Sequence, residues 1–414
     1  MITVIGLDGS PLGPRACAAL ATATLVAGGR RQLAAVPAAS GTPTVVLGEL
    51  APALNALAAH DGDAVVLASG DPGFFGIVRA LRQHGLAPAV LPAASSVALA
   101  FARAGLPWDD ALVVSAHGRE LRPAVNVCRA YPKVAVLTGP GSGPAEVGAA
   151  LAGWDRWLIV GEDLGGDGER VTQCSPAAAA GRDWQDPNVV LVLAGRPAGS
   201  AGHSGEPPGA AGPGWVWPPP SVPPGWALPE ERFDCREAVI TKAEVRALAL
   251  ARLAPAPGTL IWDVGAGAGS VAVECARFGA AVIAVECDED RCGLVRANAR
   301  RHRVDVRVVN GEAPQALDGL PAPDAAFIGG GGPAVVAAVA ARHPARVVAA
   351  LAATERVGPT HAALSAAGYQ VGGALLQAAR LAPLPGDVHR LAALNPVFLL
   401  WTDPPPSGRD GGPV

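Results

Sequence analysis

The sequence predicts two α/β domains, each built on a largely parallel sheet with helices on both faces. Short β-rich runs alternate with alanine-rich, helix-forming stretches on both sides of a segment rich in proline and glycine. Each half also contains a glycine-bearing turn directly after an apolar run. Continuous apolar strands that alternate with helices are typical of sheets buried on both faces. At 414 residues the chain is long enough for each domain to bury its own core.

The β-rich runs define the strand–helix alternation in chain order. In the first half they are ITVIGL, TVVLG, AVVLAS, AVLPA, VAVLTG, WLIVGE and NVVLVLAG. In the second half they are LIWDVG, AVIAVE, VRVVNG, AAFIGG, RVVAALA and a closing PVFLLW. Because each run is short and rich in valine, isoleucine and leucine, each is interpreted as a buried strand.

The segment between the two halves marks the domain boundary. It carries many prolines and glycines and shows no apolar period, so it cannot build a packed core. We therefore predict a first domain at 1–195, a linker at 196–227, a second domain at 228–403 and a disordered tail at 404–414.

Composition and charge exclude several classes of protein. No run of about 18 uninterrupted apolar residues occurs, so no membrane span and no membrane partner are predicted. The start, MITVIGLDG, lacks the basic and apolar regions of a secretory signal, and we expect a cytoplasmic protein. The seven cysteines form no C-x-x-C pair, so no metal site is predicted. A formal charge of −4 with interspersed signs gives no basic surface for nucleic acid.

The glycine-bearing turn of the second half has the spacing of a nucleotide site. A strand ends at Asp263, the turn G-A-G-A-G follows, and the next strand ends at Glu286 about 20 residues later. Glycines allow the backbone to approach a ligand closely, and the carboxylate at the second strand's tip accepts hydrogen bonds from ribose hydroxyls. A turn that serves packing alone would explain the glycines but not the acidic residue.

The spacing of this turn favours S-adenosylmethionine over a dinucleotide. A dinucleotide site prefers G-x-G-x-x-G, whereas the turn here is G-x-G-x-G preceded by an acidic residue. The run VVNGEAPQAL adds polar groups at the end of a third strand, where they would line an adenine pocket. The predicted cofactor residues of this half are Asp263, Gly265, Ala266, Gly267, Ala268, Gly269, Glu286, Asn310, Gly311 and Ala313.

The second half resembles a known family. The carrying motifs are AVITKAEVRALALARL, LIWDVGAGAGSVAVECA, AVECDEDRCGLVRANARRH, PDAAFIGGGG and LNPVFLLW. They are similar to the CbiT-like precorrin methyltransferase/decarboxylase domain of the cobalamin pathway, over nearly all of Leu228–Trp401. The resemblance implies a Rossmann-like class I methyltransferase fold. It further implies that Thr241, the glycine turn, Glu286 and Ala313 contact the cofactor, and that Gly329–Gly332 borders the substrate entrance.

The first half resembles a different family. VIGLDG, LASGDPGFFGIVRAL, VVSAHGRE and VGEDLGGDGERV are similar to the CbiE branch of the tetrapyrrole methylases. That family has a two-lobed α/β fold and binds S-adenosylmethionine in the cleft between the lobes. The first loop reads G-L-D-G-S-P where the family usually has G-x-G-P-G. The resemblance implies cofactor contacts from Gly6, Ser69, Gly70, Asp71 and Pro72.

The order of the two halves resembles the bifunctional precorrin-6Y C5,15-methyltransferases (decarboxylating) of the CobL type. The resemblance implies two S-adenosylmethionine sites, a precorrin tetrapyrrole as substrate, and a homo-oligomer. It also implies methylation at C-5 by the first half, and methylation at C-15 with decarboxylation by the second half. Two glycine-bearing turns exist, on this interpretation, because two methyl donors bind.

Few residues are predicted to act in the chemistry itself. The electron-rich meso carbons of a reduced tetrapyrrole attack a sulfonium methyl directly, so alignment matters more than an enzyme nucleophile. His117, His389 and Arg390 are the candidates for proton transfer or for binding substrate carboxylates. Thr241 is also predicted to be the N-cap of a helix, in a capping box with Glu244.

Two alternatives remain open at this point. In one, both halves bind S-adenosylmethionine but methylate another acceptor, such as ribosomal RNA or a diphthamide precursor. In the other, the departure in the first loop leaves the first domain as a scaffold and only the second domain is active.

Overall fold

The chain forms two compact units. The computed structural model describes residues 1–196, 225–236 and 240–402. The contacts group Met1–Glu120 with Lys133–Pro197, and Leu121–Pro132 with Ala198–Val414. The predicted tail and all but the ends of the predicted linker lie outside the described residues, so those boundaries stay predictions. None of the helices in the described ranges is long and apolar enough to cross a membrane.

Residues 1–196 alternate between strands and helices. The strands are β1 (Ile2–Leu7), β2 (Leu25–Gly28), β3 (Thr44–Val46), β4 (Ala64–Ser69), β5 (Ala89–Leu91), β6 (Leu112–Ser115), β7 (Lys133–Leu137), β8 (Trp157–Glu162), β9 (Arg170–Cys174) and β10 (Asn188–Leu193). The helices are α1 (Pro14–Thr22), α2 (Arg30–Ala35), α3 (Leu50–Ala58), α4 (Ile77–Gln83), α5 (Ser96–Ala104), α6 (Leu121–Ala130), α7 (Pro144–Ala150) and α8 (Pro176–Ala180). Of these helices, α6 is grouped with the second unit.

The first unit contains two sheets, which form its two lobes. The first sheet has the order β3-β2-β4-β1-β5 and all its pairs are parallel. The second has the order β6-β7-β10-β8-β9, in which only β6 and β7 pair in parallel. The central strands β4 and β10 are buried over most of their length. This is the two-lobed α/β fold that the sequence predicted.

The second unit is built on one seven-stranded sheet. Its elements from residue 243 onward are α9 (Ala243–Leu253), β11 (Leu260–Val264), α10 (Ser270–Arg277), β12 (Ala281–Glu286), α11 (Glu289–Arg301), β13 (Arg307–Asn310), β14 (Ala325–Ile328), α12 (Pro333–Ala340), β15 (Arg346–Leu351), α13 (Val357–Ala366), β16 (Val371–Leu376), β17 (Ala379–Leu384), β18 (Val388–Ala393) and β19 (Val397–Thr402). The sheet order is β13-β12-β11-β14-β15-β19-β16, and β17 pairs with β18 alone. The five strands β11 to β15 are parallel, as in a Rossmann-like fold.

The core of the second unit explains why the sequences of its central strands are continuous apolar runs. All residues of β11 and β12 are buried, because α9, α10 and α11 pack against the sheet. Trp262 is the largest side chain in this core and is fully buried. Each buried large apolar side chain contributes about 1.5–3 kcal/mol relative to leaving it in water.

Six strands, β2, β6, β9, β16, β17 and β18, were not predicted from the sequence. The strands β2 and β6 have four residues each, too few for a period to separate them from neighbouring alanine-rich helices. The strands β9 and β16 lie at sheet edges. The hairpin β17–β18 exposes leucines, so its pattern does not indicate a core-facing strand.

The capping box predicted for Thr241 and Glu244 is wrong. The N-cap of α9 is Lys242, and its side chain makes no capping hydrogen bond. The Thr241 carbonyl instead accepts a hydrogen bond from Arg246, and Glu244 forms an ion pair with Arg380 of β17 at 2.7 Å. A tertiary partner for the glutamate thus replaces the local bond that the capping box requires.

A buried ion pair joins α9 to α10. Arg246 and Glu274 are both fully buried, and Arg246 Nε lies 2.9 Å from Glu274 Oε1. The Glu274 carboxylate also accepts the backbone N–H groups of Ala227 and Leu228 at 3.1 and 2.7 Å. The two charges are therefore satisfied by each other and by the segment that leads into the domain, which a buried pair requires.

Removing the cation of this pair should destabilise the second unit. In the Arg246→Met variant Glu274 stays buried without its main partner, so we expect a loss of about 3–5 kcal/mol in local stability. Hydrogen exchange of peptides from α10, measured on the full chain, gives this value directly. The control is Arg236→Met, whose ion pair with Asp290 is 68% exposed on both sides and should change stability by less than about 1 kcal/mol. Equal protection in both variants would contradict the prediction.

Candidate functional site

In the second unit, the glycine turn and Glu286 meet at the carboxyl edge of the parallel strands. Glu286 Oε2 accepts the backbone N–H of Gly267 at 2.8 Å. Glu286 Oε1 accepts the N–H groups of Cys287 and Asp288 at 3.0 and 3.2 Å. The carboxylate is buried and lies against the turn, at the strand end where the sequence places it, and its contact with a cofactor stays a prediction. Because Oε2 carries a single N–H in the described chain, it retains lone-pair capacity for a ligand hydroxyl.

The turn itself is held close to neighbouring backbone. The N–H groups of Gly265 and Ala266 donate to the Val285 carbonyl at 2.9 and 3.2 Å. The Ala268 carbonyl accepts the buried Asn298 amide at 2.8 Å. A Cβ added at Gly265 would lie 2.8 Å from the backbone N of Gly330, and Gly265 has a φ of +74°. The position therefore requires glycine, and Gly329 and Gly330 of the predicted run Gly329–Gly332 pack directly on the turn.

Asp263 is a buried carboxyl group beside this turn. Its Oδ2 accepts the N–H of Ala272 at 2.8 Å, whereas its Oδ1 has no hydrogen-bond partner in the described part of the chain. Burial, opposed by the Ala272 bond and reinforced by the charge of Glu286, raises the pKa of Asp263 to about 7. An unpaired buried carboxyl oxygen is costly, so this group is suited to meet a donor from a ligand.

The other predicted cofactor residues of this unit occupy two places. Asn310 ends β13 opposite Glu286, and the N–H of Gly311 donates to the Glu286 carbonyl at 3.0 Å. The Asn310 amide itself is exposed and donates to Glu289. Ala313 follows in the same loop. Thr241 lies one residue before the N-cap of α9, and the described chain gives its hydroxyl no hydrogen bond.

In the first unit, three loops converge at the carboxyl edge of the first sheet. They follow the adjacent strands β4, β1 and β5. A Cβ added at Gly6 would lie 2.4 Å from the carbonyl oxygen of Gly70 and 2.8 Å from the N of Ala93. Glycine at position 6 is therefore what allows the loops to meet. Asp71 accepts the N–H of Gly73 at 2.8 Å, a turn bond that needs no ligand, and Pro72 is the next residue in this loop.

A cavity of about 370 Å³ lies beside these loops and joins both lobes. His117 and Asp71 line it together with Ser69 and Gly70. His117 Nδ1 lies 3.0 Å from the Thr138 carbonyl. Since a carbonyl can only accept, Nδ1 carries the proton and Nε2 is available to a ligand. The structure thus brings the predicted His117 and the S-G-D-P loop into one site.

A larger cavity, of about 540 Å³, lies on the other side of Ser69. Charged residues from both lobes line it, among them Asp8, Arg31 and Asp163. Arg31 and Asp163 were not predicted from the sequence. The available signals were a G-G-R-R run just after β2 and the G-E-D run at the end of β8, both at strand ends that face the cleft.

No hydrogen bond or ion pair in the described part of the chain joins His389 or Arg390 to Glu286 or to the glycine turn. Both are exposed residues of β18, which pairs only with β17 and not with the seven-stranded sheet. His389 is paired with Pro383 and Arg390 with Ala382. The structure therefore does not bring them together with the cofactor residues, and their role in catalysis stays a prediction.

The raised pKa of Asp263 should make stability depend on pH. The folded chain keeps this proton up to about pH 7, whereas the unfolded chain loses it near 3.8. Stability is therefore lost as pH rises between these values. Asp263→Asn cannot ionise, so we expect its stability relative to the unchanged chain to grow by about 2–4 kcal/mol from pH 5 to pH 8. Urea unfolding at each pH measures this, and a difference that is constant with pH would contradict it.

Comparison with known families gives one match for each half. Residues 5–180 match the family model "Tetrapyrrole (Corrin/Porphyrin) Methylases". Residues 233–402 match the family model "Precorrin methyltransferase domain". The two matches fall on the two-lobed unit and on the Rossmann-like unit, respectively.

The names of curated relatives describe C-5 methylation, C-15 methylation with decarboxylation, or both. A precorrin-6Y C(5,15)-methyltransferase [decarboxylating] of Sinorhizobium sp is 37% identical over 80% of this chain and 78% of its own. A cobalt-precorrin-7 C(5)-methyltransferase of Salmonella typhimurium is 33% identical over 47% of this chain and 98% of its own. A probable cobalt-precorrin-6B C(15)-methyltransferase (decarboxylating) of Pyrobaculum calidifontis is 38% identical over 42% and 93%. This chain therefore belongs to the precorrin-6Y C5,15-methyltransferase (decarboxylating) family.

Proposed function

We propose that this chain methylates a precorrin at C-5 and C-15 and removes CO₂ from the C-12 acetate side chain, within cobalamin biosynthesis. The methyl donor of such an enzyme is S-adenosylmethionine. The observation that carries the proposal is the bond from the Gly267 N–H to Glu286, beside Asp263, whose Oδ1 has no hydrogen-bond partner among the described residues. A dinucleotide site would instead place a pyrophosphate on the helix N-terminus.

The second unit is proposed to bind one donor molecule through the turn and Glu286. Glu286 Oε2 would accept the ribose hydroxyls, and Asp263 Oδ1 would accept an N–H of the ligand. Asn310, Gly311 and Ala313 would border the adenine. Asp263, Glu286 and the turn are fixed by backbone hydrogen bonds without a ligand, so binding there orders little further chain.

The first unit is proposed to bind a second donor molecule in the 370 Å³ cavity. Gly6 allows close backbone approach there, and the loop Ser69–Pro72 borders the ligand. The acceptor would occupy the adjoining 540 Å³ cavity, which shares Ser69 with the first. Two cavities that meet at one residue suit a reaction in which a methyl group passes from one ligand to the other.

The residues of the chain act mainly by positioning. S-adenosylmethionine supplies an activated methyl group, which a nucleophilic ring carbon can attack without help from an enzyme nucleophile. Fixing the two reactants in line, with water excluded, can lower the barrier by roughly 7–11 kcal/mol. In the first unit His117, whose Nε2 is free of the Thr138 carbonyl, lines the cavity proposed for the methyl donor and is the candidate for proton transfer. This explains why no nucleophile–base pair is needed.

We also propose that the chain forms a homo-oligomer through the hairpin β17–β18. Leu381 and Leu391 face each other across the hairpin and are 72% and 69% exposed. The pair Ala379 and Ala393 lies on the same face. A two-stranded hairpin is marginally stable in water, and an apolar face on it is best covered by a second copy of the same face.

The proposed cofactor sites can be counted by calorimetry on the full chain. We expect two S-adenosylmethionine molecules per chain, and Glu286→Ala should weaken one of them by about 10- to 100-fold because a charge-assisted ribose contact is lost. The exposed Asp290→Asn variant is the matched control and should leave both affinities unchanged.

Product masses then assign the two reactions. With precorrin-6B as substrate, Glu286→Ala should lose the combined gain of a methyl group and loss of CO₂. A variant that still shows this combined change, but no longer gains the other methyl group, would reverse the assignment of the halves. Binding of a single cofactor molecule by the unchanged chain would instead support a scaffold role for the first unit.

Charge on the hairpin should dissociate the oligomer. Leu381→Asp places a carboxylate on the apolar face, so we expect a lower molar mass in light scattering and unchanged cofactor affinity. The control is Val388→Asp, on the opposite face of the hairpin. An unchanged molar mass for Leu381→Asp would exclude this face as the interface.

A further inference from the structure

The 540 Å³ cavity of the first unit contains one cation, and that cation is already paired. Among the described residues that line this cavity, Arg31 is the only cation, and Asp8, Asp163 and Asp167 are the acids. Arg31 Nη1 lies 3.2 Å from Asp163 Oδ1. Arg31 comes from α2 on the first sheet, and Asp163 from the loop after β8 on the second. The ion pair therefore crosses the cleft between the two lobes.

We propose that Arg31 binds a carboxylate side chain of the acceptor in the first unit, and that Asp163 holds this guanidinium in place until the acceptor displaces it. The inference rests on the proposed function, in which the acceptor is a tetrapyrrole that bears several carboxylates. In this exchange the planar guanidinium of Arg31 gives up the carboxylate of Asp163 and binds a carboxylate of the acceptor, so the number of ion pairs stays the same.

The surroundings of the cavity leave Arg31 as the partner for an anionic acceptor. Three carboxylates and one cation line the cavity, so a carboxylate of the acceptor gains a charged partner there only if the Arg31 guanidinium turns from Asp163 to it. Asp8 is not a partner for a substrate carboxylate, because its own carboxylate already accepts hydrogen bonds from Ser10 and from the N–H of Ala94. These bonds, led by that of the Ser10 hydroxyl, hold the pKa of Asp8 below its usual range, so it is ionised. Arg31 is therefore the one side chain here that can offset a substrate carboxylate.

Asp163 is held in its own loop independently of Arg31. Its backbone N–H donates to the Pro187 carbonyl at 2.8 Å, and its Oδ2 accepts the N–H of Gly168 at 3.1 Å. Its φ of +46° lies in the left-handed region, where aspartate is tolerated better than most residues. The carboxylate is thus fixed by its own loop on one oxygen and offers the other oxygen to Arg31.

Separating Arg31 from Asp163 costs little free energy. The side chain of Arg31 is 54% exposed and that of Asp163 is 23% exposed, so water can solvate both after separation. An exposed ion pair of this kind contributes little, and breaking it costs at most about a fivefold factor in acceptor affinity. A carboxylate held by the same guanidinium inside an occupied cavity, with water displaced, contributes more than that.

A different role for the pair would be purely structural, as a clasp between the lobes. The two roles make opposite predictions for the two partners. A clasp is broken equally by neutralising either residue. In the exchange, Arg31 is the binding group and Asp163 is its competitor, so neutralising them has opposite effects on acceptor binding.

The test compares Arg31→Gln, Asp163→Asn and the double variant in C-5 methylation of precorrin-7 by the full chain. We expect Arg31→Gln to raise the KM for the acceptor by about tenfold or more, with kcat changed much less. Asp163→Asn should lower that KM or leave it unchanged. The double variant should behave as Arg31→Gln does, since the binding group is absent in both. S-adenosylmethionine affinity should be the same in all.

The matched control is Arg103→Gln. Arg103 pairs with Glu169, which accepts the N–H of Gly165, so it tethers the same loop without lining the cavity. Its KM should equal that of the unchanged chain. The inference is overturned if Asp163→Asn raises KM as Arg31→Gln does, if Arg31→Gln has no effect, or if Arg103→Gln reproduces it. Absence of C-5 methylation by the unchanged chain would instead refute the proposed function.

Discussion

The close approach of two backbone turns, possible only at glycine, is the constraint on which both proposed sites depend. In the first unit Gly6 packs against Gly70, and in the second Gly265 packs against Gly330. In each case the two turns follow adjacent parallel strands, so their N–H groups and side chains are delivered to the same edge of the sheet. A side chain at either glycine would separate the turns and displace the groups beside them.

The two units use this constraint differently. In the second unit one sheet edge carries the whole proposed cofactor site, with Glu286 fixed by three backbone N–H groups. In the first unit the cavities lie between two sheets, and residues such as His117 and Asp163 come from the second lobe. The first site is therefore completed by the relative position of the lobes, whereas the second is completed by local backbone geometry.

The second site was largely predictable from sequence, and the first only in part. The spacing from Asp263 to Glu286 predicts their common edge because a βαβ unit has one geometry. The S-G-D-P loop was found by resemblance. Arg31 and Asp163 are separated by more than a hundred residues, and no local pattern links them. The capping box failed because a long-range partner, Arg380, outcompeted a local bond, and the hairpin was missed because its leucines point to water.

The backbone at Asp163 favours a small set of residues at this position. A φ of +46° lies in the left-handed region, which glycine, asparagine and aspartate adopt most readily. Aspartate and asparagine have nearly the same shape and differ in charge. An exchange between these two residues would therefore add or remove one negative charge in the cleft while the backbone keeps its shape.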